Sequence, residues 1–126
     1  MKIYVGVVGV IVFLVGLGLY TIDRFQGDTT QLLDGIGRTE AAISGSRWDE
    51  AAAGIAGVKE VWEKHRRWWA LFIEHHEIDN IDMVLTRAEQ YIKARERTLA
   101  FGELAVLKQM LEQIPESKRV KLKNVF

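Results

Sequence analysis

The feature of this sequence that most constrains its fold is an apolar stretch near the N-terminus. It covers residues 3–22 and reads IYVGVVGVIVFLVGLGLYTI, without one charged side chain. About twenty apolar residues in an α-helix cross the hydrocarbon core of a bilayer. Charged residues stand at both ends, with Lys2 before the stretch and Asp23 and Arg24 after it. The pattern therefore predicts one transmembrane helix that contacts the lipid bilayer through residues 3–22.

A cleaved secretory signal peptide is the main alternative for this stretch. The apolar run is longer than the core of a usual signal peptide, and the pair Gly16 and Gly18 is a poor match to a cleavage site. We therefore favour an uncleaved anchor in the cell membrane. Because the segment before it is short and basic, we expect the N-terminus in the cytoplasm and the remainder of the chain on the extracytoplasmic side.

Composition excludes several classes of function for the remainder of the chain. The 17 basic and 17 acidic residues cancel, which argues against a nucleic-acid partner. The absence of cysteine removes disulfides, thiol nucleophiles and cysteine-ligated metals. No cofactor is implied, and no arrangement of nucleophile and base indicates an enzyme.

The residues after the anchor have helical periodicity. Residues 27–30 supply candidate helix caps, and a helix break is predicted at residues 44–46, with Ser46 capping the next helix. That next helix carries apolar and aromatic residues with a seven-residue period, a pattern typical of a buried face. The members of this stripe are Trp48, Ala51, Ile55, Val58, Trp62, His65, Trp69 and Phe72.

Two changes in the phase of the apolar pattern indicate where the chain turns. One lies within residues 74–79, and the other lies near Gly102 as either a second turn or an irregularity in one long helix. Pro115 is expected to end the last helix. The predicted fold class is all-α. It comprises an N-terminal transmembrane anchor (1–25), a small antiparallel helical bundle or two stacked helical hairpins (26–116), and a basic C-terminal tail (117–126).

The densest cluster of chemically capable side chains lies at the first predicted turn. His75, His76, Glu77 and Asp79 are residue types that bind zinc, manganese or iron. His76-Glu77 begins like the H-E-x-x-H motif, but Asn80 occupies the position of the second histidine. The Glu-x-x-His pairs of a di-iron site do not occur in the sequence. We interpret the cluster as the polar turn of a helical hairpin and keep a metal-dependent site there as an alternative.

Two further regions are candidates for binding. Trp68 lies just off the buried stripe, where it either anchors a partner or fills the edge of the bundle. The tail carries basic residues that suit an anionic lipid or polymer, although docking on the bundle and disorder are alternatives. These residues are Lys118, Arg119, Lys121 and Lys123. His65, on the stripe, is either a hydrogen-bonded core histidine or a protonation switch.

Several segments resemble the family of domain of unknown function 4363. They are the tryptophan-rich stretch around Trp62, FIEHHEIDNID from Phe72 to Asp82, ELAVLKQMLEQIPE from Glu103 to Glu116, and the closing KNVF. The resemblance covers most of the chain and implies a small membrane-anchored helical protein of Gram-positive bacteria. Because the family has no assigned activity, the resemblance transfers no catalytic residue.

The function that these observations favour is a single-pass membrane protein whose helical domain binds an unidentified protein or acts as a scaffold. We expect no enzymatic activity. Apart from the metal-dependent site, the other alternative is a purely structural membrane protein that forms a homo-oligomer. Gly6, Gly9 and Gly16 share one face of the anchor, and small residues on one face allow close helix approach in lipid.

Overall fold

Residues 2–125, the part of the chain whose backbone is described, form four α-helices packed as a bundle. The computed structural model describes the backbone of residues 2–125 and the side chains of residues 2–24 and 26–113. The helices are α1 (Lys2–Ser44), α2 (Trp48–Trp69), α3 (His75–Lys93) and α4 (Arg97–Val125), and the described backbone contains no strand. Each helix packs against the next, and α4 returns to pack against α1. The all-α prediction is confirmed.

Helix α1 belongs to both the predicted anchor and the bundle. It is 43 residues long and has no break. Its apolar N-terminal part is exposed, whereas Leu32, Ile36 and Ile43 are fully buried and form one wall of the core. It is the one helix in the described part of the chain whose length and composition suffice to cross a membrane.

The predicted helix boundary at residues 27–30 is wrong, because α1 continues through it. The Thr30 hydroxyl donates to the Gln26 carbonyl, 2.9 Å away within the same helix. Asp28 is buried and accepts a hydrogen bond from α2. Polar side chains with partners of this kind do not need to cap a helix end, so they are compatible with a helix interior.

The α1–α2 and α3–α4 turns have the same backbone hydrogen-bond pattern. Both lie at the end of the bundle away from the apolar stretch. The Arg47 N–H donates to the Ala42 carbonyl at 2.8 Å, and the Glu96 N–H donates to the Tyr91 carbonyl at 2.9 Å. These bonds, with a left-handed residue just before each donor, define Schellman motifs. The left-handed residues are Ser46 and Arg95, each with a φ of 58°.

These turns confirm the break at residues 44–46 and correct two details. Ser46 does not cap α2, because its left-handed conformation closes α1; the residue before α2 is Arg47, which makes no side-chain cap. Gly102 lies inside α4, so the second turn falls earlier, at residues 94–96. The sequence did not indicate that turn, because Arg95 occupies the left-handed position where glycine or asparagine usually stands.

The α2–α3 turn also lies earlier than predicted, at residues 70–74 rather than 74–79. Ile73 is buried within the turn itself, and Phe72 packs against the core. The apolar pattern therefore continues beyond the end of α2, and its change of phase appears several residues after the backbone has turned. His75 to Asp79 form the first helical residues of α3.

The core confirms the predicted stripe on α2. Ala51, Ile55, Val58, Trp62 and Trp69 are all buried, and the Trp62 and Trp69 rings meet edge to face with centroids 5.4 Å apart. Apolar side chains from α1, α3 and α4 complete the core. This burial, rather than helix propensity, supplies most of the stability of such a bundle.

The bounds of α4 extend past Pro115, where we expected the helix to end. Proline removes one backbone donor and crowds the carbonyl four residues earlier, so it usually kinks or ends a helix, but the bounds of α4 continue past it. The side chains of the predicted tail, including Lys118, Arg119, Lys121 and Lys123, lie outside the described residues.

Candidate functional sites

A polar network joins α1 to α2 inside the bundle. The Trp69 indole N–H donates to Asp28 Oδ2 at 2.9 Å, and both residues are buried. His65 Nδ1 lies 3.6 Å from the same carboxylate oxygen, and His65 Nε2 lies 3.1 Å from Gln31 Oε1. A buried indole needs an acceptor, and Asp28 supplies one. His65 is therefore a half-buried, hydrogen-bonded histidine, as one of its two sequence interpretations held.

A second tryptophan and aspartate pair joins α2 to α3. The Trp62 indole N–H donates to Asp82 Oδ1 at 2.6 Å. The Arg66 guanidinium contacts the other oxygen of that carboxylate at 2.8 Å. Each of the two core indoles thus donates to a carboxylate on a different neighbouring helix, which fixes the rotation of α2 between α1 and α3.

Trp68 lies where the apolar stretch of α1 meets the bundle. Its ring makes edge contacts with Tyr20 at 6.5 Å and with Phe72 at 4.8 Å between centroids. The Arg24 guanidinium carbon stands 4.0 Å from the centre of the Trp68 ring, within the range of a cation–π interaction. Trp68 is half-buried, and Leu71 beside it is 73% exposed. We call Tyr20, Arg24, Trp68, Leu71 and Phe72 the aromatic collar.

The cluster of His75, His76, Glu77 and Asp79 does not assemble a metal site in the described part of the chain. His75 Nε2 lies 3.6 Å from Asp79 Oδ2, and His76 Nδ1 lies 3.0 Å from Glu74 Oε2. Both histidines are exposed, and no group of three histidine or carboxylate side chains among the described residues is placed to hold one ion. His76 and Glu77 both line a shallow groove with Met110 and Gln113 of α4. The structure thus places His75 beside Asp79 and His76 beside Glu74, while Glu77 belongs to neither pair.

The outer face of α3 and α4 carries exposed apolar side chains. Leu99 is 49% exposed and Val106, seven residues later on the same side of α4, is 44% exposed. Arg87 of α3 borders this face and donates a 3.0 Å hydrogen bond to Glu103 of α4. That hydrogen bond and the negative charge of Glu103 raise the pKa of Arg87. The face is a second candidate for binding.

Sequence reasoning missed the roles of Asp28, Asp82 and Leu71. A usable signal existed for the aspartates, since two tryptophans on a buried stripe require two acceptors in the core. That signal did not indicate which of the many carboxylates would accept these hydrogen bonds. Leu71 gave no signal, because it lies between Trp69 and Phe72 of the stripe and reads as one more core residue.

Comparison with known proteins identifies a family and no closer relative. The family model described as a domain of unknown function (DUF4363) matches residues 19–125. The match includes all of α2 and α3, and it begins close to the end of the apolar stretch. No curated protein and no solved structure matches the chain significantly.

Proposed function

Since the chain belongs to the DUF4363 family, whose description assigns no activity, we propose a function from the geometry. The protein is a single-pass membrane protein that holds a rigid four-helix bundle at the extracytoplasmic membrane surface, where the bundle binds another protein. The bundle acts as an interaction or scaffold module and performs no chemistry of its own.

The observation that carries this proposal is the continuity of α1. One helix of 43 residues contains the apolar stretch and one wall of the core, with no flexible linker between them. A bundle attached in this way keeps a fixed height and orientation at a membrane. That arrangement suits a protein that presents a surface to a partner.

The outer face of α3 and α4 is the surface that we assign to the partner. Leu99 and Val106 follow the heptad spacing with which an amphipathic helix meets another helix. Tyr91 of α3 and Met110 of α4 are half-buried and pack against the core. An amphipathic helix of a partner protein would cover such a face.

The anchor is tested by placing charges in the apolar stretch. Ile11→Arg combined with Leu14→Arg alters two exposed positions of α1, and each arginine near the bilayer centre costs about 3 kcal/mol of insertion free energy. We expect the native chain to resist alkaline carbonate extraction and the double variant to be extracted. Glu60→Arg combined with Glu63→Arg on α2 is the matched control. Extraction of the native chain, or a mature mass that lacks the apolar stretch, would refute the anchor.

The orientation is tested with single cysteines, since the natural chain has none. Asp49→Cys, exposed at the start of α2, should react with a membrane-impermeant maleimide in intact cells. Ile3→Cys, exposed at the other end of the apolar stretch, should react only after the cells are permeabilised. The reverse pattern would place the bundle in the cytoplasm.

Partner binding is tested by photocrosslinking in native membranes. A photoreactive amino acid replaces Leu99 or Val106 on the proposed face, and Glu60 or Glu63 on α2 in the controls. We expect one recurrent heterologous adduct from the α4 positions and not from the α2 positions. An adduct with the mass of two copies of this chain would instead support the self-associating alternative. Equal or absent adducts at all four positions would refute this surface.

A further inference from the structure

We infer that the aromatic collar is a second membrane contact. In this arrangement the α2–α3 turn is seated in the interfacial layer of the same bilayer that α1 crosses, with Leu71 inserted among the lipids. This inference rests on the proposed membrane anchor. It adds a docking surface whose occupant is lipid.

The first step is the position of the collar along α1. The apolar stretch of about twenty residues is about 30 Å long as a helix, which matches the hydrocarbon thickness of a bilayer. Tyr20 lies within the last turn of this stretch, and Arg24 lies just beyond it. Trp68 contacts both side chains. The end of α2 therefore lies level with the boundary between hydrocarbon and headgroups.

The second step is the direction of α2, which returns toward the apolar stretch. The contacts between the two helices move along α1 toward its N-terminus as α2 proceeds. In order, they join Gly54 to Thr39, Val58 to Gly35, Trp69 to Asp28, and Trp68 to Arg24 and Tyr20. The turn at residues 70–74 follows Trp68, so it also lies at the level of the last turn of the stretch. Thr21, inside the stretch, is only 8% exposed, so the bundle and the apolar stretch overlap along the helix axis.

The third step is the chemistry of the surface at that level. Tyrosine and tryptophan are the residues enriched where a membrane meets water, and Tyr20 and Trp68 supply one of each. Leu71 is 73% exposed at the turn, more than any other large apolar side chain of the bundle that the structure describes. Burial of a leucine side chain in an apolar medium is favourable. In water the Leu71 side chain is exposed to solvent, whereas at the membrane interface it is buried among lipids.

Charge does not explain the contact. Arg24 belongs to the collar and Arg67 precedes Trp68 in the chain, but Asp23, Glu74 and Glu77 lie at the same end of the bundle. The opposite charges largely cancel, so the described residues form no basic patch for anionic lipid. The contact is therefore expected in vesicles made only of zwitterionic lipid.

The test places one nitroxide spin label on each of three cysteine variants of the full chain in phosphatidylcholine nanodiscs. Leu71→Cys reports the collar, Leu99→Cys is the matched exposed leucine at the far end of the bundle, and Phe13→Cys reports the apolar stretch. Collision with oxygen, which concentrates in lipid, is compared with collision with a water-soluble nickel complex. We expect labels at positions 13 and 71 to favour oxygen and the label at position 99 to favour nickel by at least about tenfold relative to position 71.

The outcomes separate the two proposals. If the label at position 13 favours oxygen while the label at position 71 behaves like the one at position 99, the anchor stands and the collar contact is refuted. If the label at position 13 favours nickel, the anchor fails and the collar contact fails with it. Circular dichroism of each labelled variant, matching that of the native chain, verifies that the bundle is folded.

Discussion

At the scale of single residues, two carboxylates determine how α2 is held. Asp28 accepts from Trp69 in a buried site, and Asp82 accepts from Trp62 in a partly buried one. A buried indole N–H without an acceptor costs the protein its desolvation free energy, whereas a hydrogen bond to a charged group is among the stronger ones. Each aspartate therefore acts through a tryptophan, because its hydrogen bond favours one rotamer of that indole side chain.

Replacement of Asp28 by alanine tests this role. We expect Asp28→Ala to lower the free energy of unfolding by about 2 kcal/mol, because it leaves the buried Trp69 N–H without its acceptor. Urea unfolding of the full chain in nonionic detergent micelles, followed by tryptophan fluorescence, measures the change. Asp23→Ala, at an exposed position five residues earlier on α1, should change it by less than about 0.5 kcal/mol. Equal effects of the two substitutions would contradict a specific role for Asp28.

Arg95 bears a conformational cost at the end of α3. Its φ of 58° is left-handed, a conformation that costs residues with a Cβ about 1 kcal/mol and costs glycine little. We expect Arg95→Gly to raise the free energy of unfolding by about 1 kcal/mol in the same urea experiment. Arg95→Ala removes the same side chain but keeps the Cβ, so it should have little effect. If both variants behave alike, the backbone conformation is not the cause.

At the scale of helices, small residues set how closely α1 and α2 approach. A Cβ added at Gly54 would lie 2.5 Å from Thr39 Oγ1 and 3.4 Å from the Thr39 Cα. Thr39 is fully buried, and its hydroxyl donates to the Gly35 carbonyl at 2.9 Å. Neither the side chain nor the backbone of Thr39 has room to move away. Gly57, one turn later on α2, faces open space instead.

The surroundings of Gly54 and Gly57 predict that alanine substitutions at the two positions change the free energy of unfolding in opposite directions. Gly54→Ala should lower the free energy of unfolding by about 1 to 2 kcal/mol, because overpacking outweighs the better helix propensity of alanine. Gly57→Ala should raise it by about 0.5 to 1 kcal/mol, because only the propensity changes. The urea experiment in micelles compares both variants with the native chain. A gain in stability at both positions would show that α1 and α2 are not in close contact at Gly54.

At the scale of the whole molecule, the unbroken α1 makes the bundle a fixed extension of the proposed anchor. The 22 residues from position 23 to the end of α1 at Ser44 have a helical length of about 33 Å. The α1–α2 and α3–α4 turns lie together at that far end, where the Arg97 guanidinium donates to the Ser46 hydroxyl. The collar lies at the other end, so in the proposed arrangement one end of the bundle faces the membrane and the other faces water.

An upright bundle predicts a defined height above the membrane. A fluorophore on Asp49→Cys, close to the far turns, should lie about 30 Å from an acceptor dye at the lipid surface, as measured by resonance energy transfer in nanodiscs. A fluorophore on Glu63→Cys, about two-thirds of the way along α2, should lie about a third as far. Distances that are equal for the two positions would indicate a bundle lying flat or moving freely on its anchor.

Local patterns were sufficient for some elements of this fold, but not for the continuity of α1 through residues 27–30. The apolar stretch, the seven-residue stripe on α2 and the break at residues 44–46 were all predicted, because each depends on neighbours within a few turns of helix. The positions of the two later turns were not. Arg95 in a left-handed conformation and the buried Ile73 within a turn do not follow the residue preferences of turns, since packing of the finished bundle outweighs them.

The sequence by itself determined that this chain is helical, that one segment is apolar enough to cross a bilayer, and that Trp62 and Trp69 lie in a core. Those properties follow from the amino-acid composition and from the spacing of the apolar residues along the chain. Only the tertiary structure decided that α1 does not break at Asp28, because the acceptor role of that residue depends on Trp69, 41 positions away. It also placed Trp68 against Tyr20 and Arg24, since contacts between distant segments depend on helix register and direction, which no local pattern encodes.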